Sequence, residues 1–143
     1  MQVNPFDAVN SVPNYWLSCL IIDEDAMCQT VRGEKDAVYV SEPGKSCPTE
    51  ILDAIAAFNA EGRPIWKPMH MQPVYRMNPF ITRSGSGRAR SNAYIKVARD
   101  ADGLPMDVGA DIFRRGLCLP SDNKMTPAQQ DVVIEIIRRC FGK

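Results

Sequence analysis

Hydrophobic positions bunch into short runs separated by proline, glycine and charge, and their spacing sets the expected elements. Residues 15–23 (YWLSCLIID) are almost continuously apolar and rich in aromatic and branched side chains, which predicts a strand covered on both faces. Val38, Tyr39 and Val40 suggest a short strand, and Glu42-Pro43-Gly44-Lys45 a turn. From residue 48 the period becomes helical, with Ile51, Leu52, Ile55 and Phe58 on one face. Pro48 suits the first helical position behind Cys47 or Ser46, and Glu50 places negative charge in the first turn. Gly62 followed by Pro64 marks a stop, so a helix is expected over about 48–61.

Further on, residues 92–98 have the composition of a short strand and 100–105 (DADGLP) that of a turn. Asp107 is placed to cap a short helix carrying Val108, Ile112 and Phe113 and closed by Gly116. Leu117-Cys118-Leu119 reads as a short buried strand ended by Pro120. Thr126, Pro127 and Gln129 have the arrangement of a capping box. The helix they start has an apolar face of Val132, Val133, Ile136, Ile137 and Cys140, with Arg138 and Arg139 at its C-terminal end, where cations favour the dipole. There is no internal repeat. Strands and helices mix with short connections, which predicts an α+β fold (α/β in loose usage), a small mixed or antiparallel sheet with helices packed on it. The 143 residues suffice for one domain, 1–143, with one sizeable core.

Composition narrows the function classes. Hydrophobic residues make up 45% and charged residues 24%, ordinary for a globular protein. The net charge is zero and the pI near 6.6, so no global basic field recruits nucleic acid or an anionic membrane. No apolar run approaches the length of a bilayer span, and the N-terminus lacks the basic and apolar regions of a signal peptide. Five cysteines, an odd number with no C-x-x-C pair, argue against a disulfide framework and a structural zinc site. The expectation is a cytoplasmic protein with reduced thiols and neither a metal, a nucleic acid nor a membrane as partner.

Two stretches carry candidate chemistry. Residues 63–73 (RPIWKPMHMQP) hold the only histidine, His70, with Trp66, Lys67 and the prolines Pro64, Pro68 and Pro73. Proline at that density excludes a helix and disfavours a central strand. It leaves a rigid extended segment or loop presenting an aromatic ring, a cation and an imidazole. Residues 83–92 are small, polar and basic, and Arg83, Arg88 and Arg90 beside Gly85 and Gly87 suit an anion or phosphate cradle. They match no recognised phosphate-loop pattern, and a flexible surface insertion is the favoured account of them. The absence of aromatic residues from 82 to 92 counts against a nucleic-acid groove.

Three stretches in order resemble one family. They are Pro13-Asn14-Tyr15-Trp16-Leu17, then Arg63 to His70 with Gln72-Pro73, then Asp111 to Ser121 with Met125-Thr126. The chain from about residue 10 onward is similar to the small C-terminal domain of the DegT/DnrJ/StrS-type, pyridoxal phosphate-dependent sugar aminotransferases of fold type I. The regions 23–46 and 83–102 are longer than the family pattern. The resemblance implies that the large N-terminal domain, with the cofactor-bonding lysine, is absent, so no catalytic residue is assigned here. Pyridoxal phosphate would belong to the full-length enzyme and none is expected on these residues. The implied partners are that N-terminal domain, a second copy in a homodimer, and a nucleotide-linked keto sugar in amino-sugar or surface-polysaccharide biosynthesis. Substrate contacts would come from His70, Trp66 and Lys67, with Arg88 and Arg90 for the diphosphate. An excised domain would also expose the apolar face that its partner covers. The alternative is a free-standing module binding a small anionic ligand without catalysis.

Overall fold

In the computed structural model the described residues are 7, 9–32, 37–75, 77–82, 85–87 and 96–142. The fold is α+β. Its strands are β1 (Cys19–Ile21), β2 (Thr30–Arg32), β3 (Ala37–Tyr39), β4 (Arg63–Pro64), β5 (Phe80–Thr82), β6 (Gly85–Gly87) and β7 (Gly116–Cys118). The helices are α1 (Pro48–Ala57), α2 (Val108–Arg115) and α3 (Pro127–Phe141). The contacts divide the chain into two compact units: one runs to Pro64 and resumes at Arg115, and the other is Ile65–Arg114. Among the described residues, no helix is long and apolar enough to cross a membrane.

The first unit holds a three-stranded antiparallel sheet in the order β1-β7-β4. All three residues of the central strand β7 are buried. Cys19 lies opposite Cys118, Leu20 opposite Leu117 and Ile21 opposite Gly116. At the end of β1 the Ile22 amide donates to the Arg115 carbonyl at 3.0 Å, and the Arg115 guanidinium donates to the Ile22 carbonyl at 2.6 Å. β2 and β3 form a separate antiparallel pair. α1 packs on α3, and the core joins Leu20, Ile22 and Leu117 to Ile51 and Ile55 of α1 and to Val133, Ile136, Ile137 and Cys140 of α3.

Local chemistry explains where most elements start. Thr126 accepts from the Gln129 amide at 3.3 Å while the Gln129 side chain accepts from the Thr126 amide at 2.8 Å, the expected capping box. Arg138 and Arg139 occupy the last turn as expected. The turn at 42–45 closes through the Lys45 amide on the Glu42 carbonyl at 3.1 Å and an ion pair of the same residues at 3.0 Å. Ser46 donates to the buried Glu50 carboxylate at 2.7 Å, which holds that anion in the first turn of α1, where the helix dipole favours it.

Several expectations are corrected. The strand expected over 15–23 shrinks to Cys19–Ile21, because Tyr15 takes a left-handed backbone (φ 54°) that no extended strand contains. Tyr15 and Trp16 are exposed, and within β1 only Leu20 is buried, so the strand is not covered on both faces. α1 ends at Ala57 because Asn59 turns left-handed (φ 57°), which leaves Phe58 exposed instead of on the buried face. Val132 is half exposed on α3, and on α2 Val108 is exposed while Ala110 and Asp111 are buried. Residues 92–95 lie outside the described residues, and 96–98 form no strand.

Gly62 serves packing and does not end the helix. A Cβ there would lie 2.7 Å from Leu52 Cδ2 and 3.1 Å from the Cys118 carbonyl oxygen. Leu52 can rotate away, but the β7 backbone cannot without disturbing the sheet. Gly62→Ala is therefore expected to cost about 1–2 kcal/mol, read as a lower midpoint in urea unfolding at unchanged slope.

Candidate functional site

His70 sits in a short 3-10 turn, Met69–Met71, entered through Pro68. The Met71 amide closes the turn on the Pro68 carbonyl at 3.0 Å. A second such turn, Pro73–Tyr75, follows at once, and Arg63–Pro64 is already an edge strand. The segment is thus a chain of tight turns and not an extended rod. Proline accounts for this: its fixed φ starts each turn, and its missing N–H is no loss at a first position.

The turn delivers the imidazole to Asp107. His70 Nε2 lies 2.8 Å from Asp107 Oδ2, and the two side chains are only 11% and 9% exposed. An ionised carboxylate can only accept, so Nε2 is the donor in this contact. Asp107 also caps α2 as the sequence predicts, its Oδ1 accepting from the Ala110 amide at 2.9 Å. One carboxylate therefore holds the turn and the helix start together. Gly109 permits this closeness, since a Cβ there would meet Pro68 Cγ at 3.2 Å. One helical turn on, buried Asp111 faces Arg114 at 3.8 Å.

The residues expected at the site fall into different surroundings. His70 points inward, while Trp66 (64% exposed) and Lys67 lie on the surface. Arg88 and Arg90 lie outside the described residues. The neighbouring glycines do not make a cradle-like turn: Gly85–Gly87 is a strand paired antiparallel with Phe80–Thr82. The ionic partners Asp107, Asp111 and Arg114 were missed as site residues, although their spacing of four and then three residues puts them on one face of a helix.

In the first unit, a groove of about 300 Å³ is lined by Tyr39, Glu50, Ala54, Phe58, Ile136, Arg139 and Cys140. Elsewhere in that unit, outside the groove lining, two thiols are shifted. Burial raises the pKa of Cys47, and burial, with Cys19 adding to it, pushes Cys118 up to about 11.

No family model matches the chain. Over 94 residues, 66% of the chain, it is 33% identical to a protein of Bacillus subtilis (strain 168) named "Putative pyridoxal phosphate-dependent aminotransferase EpsN". The match spans 19% of that relative's length. Over those residues the chain is similar to a part of that aminotransferase.

Proposed function

We propose that this chain is the small C-terminal domain of a pyridoxal phosphate-dependent aminotransferase of the DegT/DnrJ/StrS type, acting on a nucleotide-linked keto sugar. In this reading an N-terminal domain outside the 143 residues holds the cofactor, and the enzyme works as a homodimer. The present residues cover the active site and touch the substrate. The observation that carries the reading is the 33% identity over 94 residues with a protein of that cofactor class. Exposed Trp66, Met69, Val74, Met77 and Ile81 add support, as apolar side chains that a larger protein would cover.

The described residues do not suit the cofactor themselves. A lysine that bonds it needs an enclosed site with a carboxylate facing the ring nitrogen. Lys67, Lys96 and Lys124 are exposed, and Lys45 is engaged by Glu42 at 3.0 Å. What these residues offer is substrate recognition. His70, held by Asp107, is placed to make a polar contact to the sugar or its phosphates. Trp66 supplies an apolar wall, and Lys67, Arg88 and Arg90 supply cations for the diphosphate.

Mixed with pyridoxal phosphate, the chain alone is expected to develop no stable visible cofactor band and to transfer no amino group from glutamate to a nucleotide-linked keto sugar. Turnover by the chain alone would overturn the proposal. Titration with a nucleotide-linked sugar, followed by NMR at the His70 imidazole, separately tests the substrate contact. A ring signal that does not move up to millimolar sugar nucleotide would remove His70 from that role.

A further inference from the structure

We propose that Cys19 and Cys118 form a redox-modifiable dithiol, which a peroxide-class oxidant closes into a disulfide tying the central strand β7 to its neighbour β1. The two residues are direct cross-strand partners, and their sulfurs already lie 3.7 Å apart. The hydrogen-bond ladder fixes the kind of pair they form. The Leu119 amide donates to the Ser18 carbonyl at 2.9 Å and the Ile22 amide to the Arg115 carbonyl at 3.0 Å. Hydrogen-bonded pairs therefore fall at 18/119 and 22/115, and by alternation at 20/117, so that Cys19 and Cys118 occupy a non-hydrogen-bonded position. At such positions the Cα atoms stand about 4.5 Å apart, inside the roughly 4.4–6.8 Å span that disulfides accept. Closing the sulfurs to about 2.05 Å then needs side-chain rotation and little backbone movement.

Access favours the same pair. Cys19 is half-buried, whereas Cys28, Cys47, Cys118 and Cys140 are all buried, so an oxidant in solution meets Cys19 first. The Cys19 sulfur attacks a peroxide oxygen, the O–O bond breaks, and Cys19 becomes a sulfenic acid with release of one water. Cys118 then attacks the Cys19 sulfur; the S–S bond forms, the S–O bond breaks, and the leaving hydroxide takes the Cys118 proton as a second water. Two thiols and one hydrogen peroxide give one disulfide and two waters, each sulfur losing one electron. The raised pKa of Cys118 makes it the poorer nucleophile toward the oxidant, which leaves the first attack to Cys19.

The test treats the intact protein with hydrogen peroxide, blocks the remaining thiols, and digests it with trypsin and Asp-N without reductant. Cleavage separates Cys19, in the peptide 7–22, from Cys28, and puts Cys118 in the peptide 116–121. The expected result is a linked pair of these two peptides, loss of two of the five thiols, and recovery of both with dithiothreitol. Cys19→Ser should abolish the linked species. All five thiols surviving peroxide that fully oxidises glutathione would overturn the proposal. So would Cys19 recovered as sulfinic acid with no link to Cys118, a result read on the unaltered protein and independent of how any variant folds.

Discussion

Ile51→Ala is expected to lower the free energy of unfolding by about 3–4 kcal/mol. Ile51 is fully buried on α1, and Ile55, Ser46 and Cys47 beside it in sequence are fully buried too. The removed atoms lose their transfer energy, and the vacated space is held open by a helix that packs on α3. Ile51→Val, which keeps most of the volume, should cost about 1 kcal/mol. Phe58→Ala, which the helical spacing alone ranks with Ile51, should stay within about 0.5 kcal/mol of the parent because Phe58 is 59% exposed. Urea unfolding followed by circular dichroism measures all three. An Ile51→Ala protein no less stable than Phe58→Ala would contradict the core described above.

Removing the carboxylate that His70 meets is the second large effect. Asp107→Ala deletes both a helix cap and the partner of a nearly buried imidazole. The cap contributes about 1 kcal/mol, and loss of the His70 contact roughly 1–2 kcal/mol more, so a loss of about 2–3 kcal/mol is expected. Asp107→Asn separates the two contributions, because asparagine caps about as well as aspartate while giving up the charge. Hydrogen exchange at the Ala110 amide is the local readout. Protection there should fall more than about tenfold in Asp107→Ala and largely persist in Asp107→Asn. Equal loss in both variants would mean that the contact of the Asp107 carboxylate with His70, and not the cap, holds the helix start.

The parts of this fold that the sequence announced are those with chemistry confined to a few consecutive residues. α3 is legible because Thr126, Pro127 and Gln129 all act within one turn, and the turns at 42–45 and 100–105 are legible for the same reason. The start of α1 was readable from Pro48, but its end was not. Asn59 rather than a glycine takes the left-handed turn, and nothing in its neighbourhood marks that choice. The run 15–23 misled because continuous apolarity does not distinguish a covered strand from a segment that leaves Tyr15 and Trp16 exposed. The two-residue strand β4 and the hairpin of β5 with β6 are too short to carry a period. At the candidate site, the presentation of His70 by prolines was visible and its partner was not. Asp107 lies 37 residues away, and only folding makes them neighbours.

The outer strand β4 has a consequence for how copies of this chain meet one another. A sheet edge with free amides invites a stranger's backbone to add on and propagate into fibres. Here the edge is two residues long; Pro64 has no amide to offer, and Arg63, exposed and ion-paired with Glu61 at 2.6 Å, would carry charge into any such contact. The prolines that shape the His70 segment thus begin their work one step earlier, by keeping this edge of the sheet from templating growth.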